Sequence, residues 1–118
     1  MADFTRQEII KMINGLHPSK GLYLAKVNLD NIDLFNIKLE NANFCKANLR
    51  GSNFSNSILV ASTFANANLE DSDFSNASLK GVNFRGANLK NANLSYADLT
   101  GAHLEGADLT NAIGYKTP

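Results

Sequence analysis

The chain has one cysteine, two prolines, no tryptophan and no charge excess, with 11 Lys plus Arg balancing 11 Asp plus Glu in 118 residues. Each scarcity excludes something. A lone Cys45 cannot close an internal disulfide, so no disulfide framework holds the fold. Charge balance removes the electrostatic footprint of a nucleic-acid binder. No apolar run approaches the roughly 18 residues of a membrane-spanning helix. The opening MADFTRQEII lacks a basic stretch followed by an apolar one, so no secretion signal is read and a reducing, cytoplasmic location is expected. What the chain has in excess is Asn, Leu and Ala, at 17, 15 and 14 residues, a bias that points to an internal repeat.

Every fifth residue from Leu24 to Leu109 is Leu or Phe, 13 of one and 5 of the other over 18 positions. Two residues before each stands a small or apolar side chain, and the residue between is Asn or Asp in 12 of the 18 units. A period of five fits neither ordinary element. Five helical steps of about 100° move the apolar position by about 140° per unit, which scatters it round the helix. A continuous strand alternates its faces with period two, so an odd repeat would put successive Leu on opposite sides. The chain must therefore turn in every unit. A turn near 90° per unit closes a square coil in about 20 residues, with each central Leu or Phe aimed at the axis and the coils stacked into a solenoid.

The run from Leu22 to Asn111, with units such as Ala-Asn-Leu at 67 to 69 and Ala-Asp-Leu at 107 to 109, resembles the pentapeptide-repeat family. It departs from the motif at Ser57-Ile58-Leu59-Val60-Ala61 and in the larger Leu22, Val27, Ile32 and Ile37. The resemblance implies an all-β solenoid, a right-handed quadrilateral β-helix, here of about 4.5 coils. Its functional implication is broad: members have diverse roles, and the best-known subset mimics duplex DNA and binds type II topoisomerases such as gyrase. Three segments are expected, with a capping helix and linker over 1–21, the repeats over 22–111 and a tail over 112–118. In the first, Thr5-Arg6-Gln7-Glu8 reads as a capping box, Phe4 and Ile9 as a hydrophobic staple and Gly15 as a left-handed helix end. The stripe Ile9, Met12, Ile13 and Leu16 is expected to cover the first coil.

Catalytic signals are weak. His17 and His103 lie far apart along the stack, and neither pairs with Cys45, which is expected in an outward, solvated slot. Gly81 to Gly86 and Gly101 to Gly106 have phosphate-loop spacing, but Ala87 or Ala107 stands where Lys is required. No catalytic residue, metal ligand or cofactor is expected. Stacking should align Asp30, Arg50, Glu70 and Lys90 into a ladder of alternating sign. The repeats carry nine acidic and seven basic residues, a poor imitation of DNA, which has one charge per roughly 1.7 Å. Another protein is the expected partner, not a membrane or nucleic acid. Its candidate contact is Phe35, Ile58 and Val60, apolar residues in outward slots. At the far end either Ile113 and Tyr115 fold over the bare coil or two chains meet there. A monomer is favoured, because one coil in cross-section falls below the roughly 1,000 Å² of a stable interface.

Overall fold

The computed structural model describes residues 2–17 and 20–115. Its repeating element is a five-residue side and a turn. In all 18 units the residue two past the central Leu or Phe has positive φ, between 57° and 71° in Asn111, Gly101 and most others and 74° at Gly106. Asn, Asp or Gly fills 14 of these slots, because those residues tolerate the left-handed region; Lys26, Lys46, Ala61 and Tyr96 are the exceptions. In 16 units the next N–H donates back to the carbonyl of the central residue, as Ser52 does to Leu49 at 3.1 Å, which closes a turn of type II pattern. The bond is missing at Ile37 and at Ala42, whose N–H donates instead to Ser62 Oγ at 3.0 Å.

Parallel bridges join residues 20 apart in fifteen successive pairs, from Tyr23 with Asn43 to Asn93 with Ile113. Twenty residues thus make one coil, and its four sides stack into four walls. The first wall centres on Leu24, Phe44, Phe64, Phe84 and Leu104, and the second on Leu29, Leu49, Leu69, Leu89 and Leu109. The third centres on Leu34, Phe54, Phe74 and Leu94, and the fourth on Leu39, Leu59, Leu79 and Leu99. Each side from Leu24 to Leu89 makes three bonds to the next coil. Leu49 N–H donates to Asn68 O at 2.7 Å, Gly51 N–H donates to Glu70 O at 2.8 Å, and Asn68 N–H donates back to Ala47 O at 3.0 Å. These bonds hold coil to coil without any long strand.

The bore is full. Phe44 stacks on Phe64 at 4.9 Å and Phe54 on Phe74 at 5.1 Å, while rings from opposed walls meet edge to face at 5.5 to 5.8 Å. Both arrangements suit aromatic quadrupoles. Leu49 to Leu89 on the second wall are fully buried, and so are Leu59 and Leu79 on the fourth.

The first coil is closed by α1, Arg6–Asn14, whose capping box is formed with Glu8 N–H on Thr5 Oγ1 and Thr5 N–H on Glu8 Oε1. Ile9 is fully buried, and Phe4, Ile10, Met12, Ile13 and Leu16 pack against the same core. Gly15 corrects one expectation, since it is right-handed at φ −87°. The chain takes a further tight turn, with Leu16 N–H on Ile13 O at 3.1 Å, so no left-handed exit is needed. At the far end the ladder runs on through Ile113, which pairs with Asn93 instead of folding over the coil, and Tyr115 packs partly against the core. Gly114 then stands where the next Leu would fall, at φ 76°, and the side ends there.

Candidate functional surface

Most outward residues are explained by the fold. The residue before each central Leu or Phe projects outward, and where it is Asn or Asp its side-chain oxygen accepts the backbone N–H two residues on. Asn53 accepts from Ser55 at 2.9 Å, Asp73 from Ser75 at 2.8 Å and Asn93 from Ser95 at 3.0 Å. This Asx bond fixes the approach to each turn, so the abundant Asn is structural. On the second wall the amides also stack, with Asn48 Nδ2 donating to Asn28 Oδ1 at 3.0 Å.

The rule lapses at Tyr23, Lys38, Ile58, Ser78 and His103, and three of these are successive rungs of the fourth wall. There the N–H groups of Glu40, Val60 and Lys80 have no acceptor among the described residues. The two missing turn bonds, at Ile37 and Ala42, lie at the two corners of this wall's first side. Ile58 is 40% exposed and Val60 half-buried at its centre. Phe35, on the third wall, is also exposed, but Arg6 lies over its ring at 5.0 Å from guanidinium carbon to centroid. The leading end of the molecule therefore already engages Phe35, while Ile58 and Val60 face outward together. Tyr23, Tyr96 and Ile113 are exposed as well. Position alone marks Tyr23 and Tyr96 as outward, in the bridging slot and the turn slot.

The charge ladder forms only in part. Arg50 reaches Glu70 at 3.5 Å and Asp71 at 3.4 Å, but Asp30 accepts from Asn31, Glu70 also accepts from Asn88, and Lys90 turns to Asp108 at 3.7 Å. Long side chains reach the neighbouring column as readily as their own. Cys45 is half-covered instead of fully solvated, 3.3 Å from Thr63 Oγ1. His103 Nδ1 accepts from Arg85 at 3.1 Å, and Arg85 also holds Glu105 at 2.7 Å. The Asp98 and Asp108 carboxyls are held below the ordinary aspartate range, first by the hydroxyls of Thr100 and Thr110 and then by the backbone N–H of the same residues. Among the described residues no group of three His, Cys, Asp or Glu side chains could hold a metal ion, and no helix is long and apolar enough to cross a membrane.

The family profile described as a pentapeptide repeat region matches residues 27–104. The chain belongs to the pentapeptide-repeat family. Among solved structures it is similar to the pentapeptide-repeat protein Rfr23 from the cyanobacterium Cyanothece 51142, at 32% identity and a TM-score of 0.78, over 84% of this chain and 68% of that one. It also matches a pentapeptide-repeat protein from Nostoc Pcc 7120, alr5209, at 26% identity and a TM-score of 0.41, over 83% and 74%. No curated protein matches the sequence. Pentapeptide-repeat proteins are generally structural or binding proteins.

Proposed function

We propose that this pentapeptide-repeat chain is a non-enzymatic, right-handed quadrilateral β-helix that presents a rigid protein-binding or scaffolding wall in the cytoplasm. The observation that carries the reading is the lapse of the Asx rule on the fourth wall. On the first wall the rule lapses only at the separated rungs Tyr23 and His103, whereas Lys38, Ile58 and Ser78 are three successive rungs. A partner seated there meets the apolar pair Ile58 and Val60 together with three backbone donors at about 4.8 Å intervals, a fixed pattern that needs no ordering on binding. Phe35 extends the contact at the neighbouring corner. A bore filled by Leu and Phe leaves no interior site for a substrate, which supports binding over catalysis.

The test is cross-linking in native extract with the chain and with Phe35→Ser/Ile58→Asn/Val60→Thr. Loss of one discrete cross-linked partner in the folded variant is the expected result, and an unchanged cross-link pattern removes this wall. A gyrase supercoiling assay on the same material tests the DNA-mimic alternative, against which nine acidic and seven basic repeat residues already weigh.

A further inference from the structure

The two ends of the coil stack have opposite hydrogen-bonding character. Each side sends two N–H groups and one carbonyl towards the next coil, so the trailing edge is rich in donors. Among the described residues, the N–H groups of Leu99, Gly101, Leu104, Gly106, Leu109 and Asn111 have no acceptor, and between them lie the bare carbonyls of Ala97, Ala102 and Ala107. The leading edge is the complement, with two carbonyls and one N–H per side, and there the segment before the repeats takes the place of a preceding coil. Asp3 N–H donates to Asn28 O at 2.6 Å while Asn28 N–H donates to Asp3 Oδ2 at 2.9 Å. Arg6 Nη1 donates to Asp33 O at 3.2 Å and to Phe35 O at 2.8 Å. These are the same carbonyl positions that receive N–H groups from the coil above everywhere else in the stack.

We propose that the trailing edge is a docking site for the leading edge of a second copy of this chain, and that Asp3, Arg6 and α1 act as a lock that withholds that edge. Two trailing edges pair less completely, because each brings two donors for every acceptor. Head-to-tail stacking instead continues the 20-residue register, pairs every bare group and covers Leu99, Leu104 and Leu109, which are only partly buried. Such a contact is heterologous and does not close, so release of the lock yields open-ended filaments instead of a dimer.

The experiment is sedimentation velocity on the full chain and on Arg6→Ala/Ile9→Asp, which removes the two hydrogen bonds of Arg6 Nη1 to the leading edge and unseats α1, with folding checked by circular dichroism. The parent is expected to remain a monomer at about 300 µM, while the folded variant shows a broad, concentration-dependent size distribution with at least about a twofold rise in mean mass. Adding Ala107→Arg, which places a cation among the trailing donors, should abolish that growth. A folded variant that stays monomeric, growth indifferent to Ala107→Arg, or a closed dimer of the parent would each overturn the proposal. If the double variant does not fold, Arg6→Ala alone is read on the same scale, and an unchanged monomer overturns it equally.

Discussion

The leading and trailing coils follow one repeat and end in opposite conditions. At the leading end Ile9 is fully buried over the bore, and Asp3 and Arg6 occupy main-chain groups of the second and third walls. At the trailing end Leu99, Leu104 and Leu109 are only partly buried, although the central residues on the same walls one coil earlier, Leu79, Phe84 and Leu89, are fully buried. A central Leu therefore owes its burial to the coil on each side of it. The repeat specifies its own interior but cannot specify its own termination, which needs residues outside the period.

The strongest way to break this comparison is to put the same charge in both places. Leu69→Asp leaves an unpaired carboxylate between two neighbouring coils and is expected to cost at least about 4 kcal/mol, enough to unfold a marginal domain. Leu109→Asp keeps one open side towards water and should cost about 1–2 kcal/mol. Urea unfolding of both variants decides, and equal losses would show that the trailing coil is as enclosed as the middle. Glycine offers a second contrast of smaller size. A Cβ on Gly21 would lie 1.8 Å from Asn41 O, so Gly21→Ala must move the entry into the first coil and is expected to cost about 1–3 kcal/mol. Gly81 has open space around it and φ 67°, so Gly81→Asn should stay within about 0.5 kcal/mol of the parent in the same measurement.

The interior was legible because period and phase need only one-dimensional information: all 18 positions of Leu and Phe follow from counting by fives. The capping box was legible for the same reason, since Thr5 and Glu8 are three residues apart. The partners of Asp3 and Arg6 were not, because Asn28, Asp33 and Phe35 lie 25 to 29 residues away in sequence and no local rule reaches them. The turn slot was half legible. Its Asn and Gly are plain in the sequence, but Lys26, Lys46, Ala61 and Tyr96 hide the requirement for positive φ. The fourth wall appeared in the sequence as an apolar interruption at Ile58 and Val60. Its free N–H column depends on which side-chain oxygen meets which N–H, a pairing that residue type at Lys38 and Ser78 does not reveal.

Buried serine sharpens the comparison at the next level, because a slot that accepts either Ala or Ser is not neutral between them. Ser52 and Ser72 stack on the third wall with hydroxyls that have no partner, whereas Ser62 accepts from Ala42 N–H and donates to Leu39 O at 3.1 Å. Ser52→Ala and Ser72→Ala are expected to raise stability by about 0.5–1 kcal/mol each, and Ser62→Ala to lower it by about 1–2 kcal/mol. Thermal midpoints moving in the same direction for all three would contradict the assignment. Ile58→Asn restores an acceptor for Val60 N–H and should be neutral or slightly stabilising, so a loss of partner binding in that variant would not be a folding effect.

The smallest expected effect belongs to the trailing end and concerns protons. Thr100 Oγ1 donates to Asp98 Oδ1 at 2.6 Å, and the Thr100 N–H donates to the same oxygen at 3.0 Å. These bonds favour the carboxylate and lower its pKa, partial burial opposes them, and Lys80, at 3.7 Å, adds a weaker attraction. Because the folded value lies below the unfolded one, the contribution to stability is present above the unfolded pKa and is lost as pH falls through the folded pKa. Thr100→Val removes the hydroxyl donor and leaves the backbone one, so Asp98 should titrate closer to the ordinary range. Carboxyl-carbon NMR of Asp98 reads this directly, with Asp108, beside an intact Thr110, as the internal reference. An Asp98 titration unmoved by Thr100→Val would assign the shift to the backbone N–H and Lys80 instead. The part of any stability difference that is linked to Asp98 should begin to shrink below about pH 4 and vanish once the carboxyl is protonated in both folded chains.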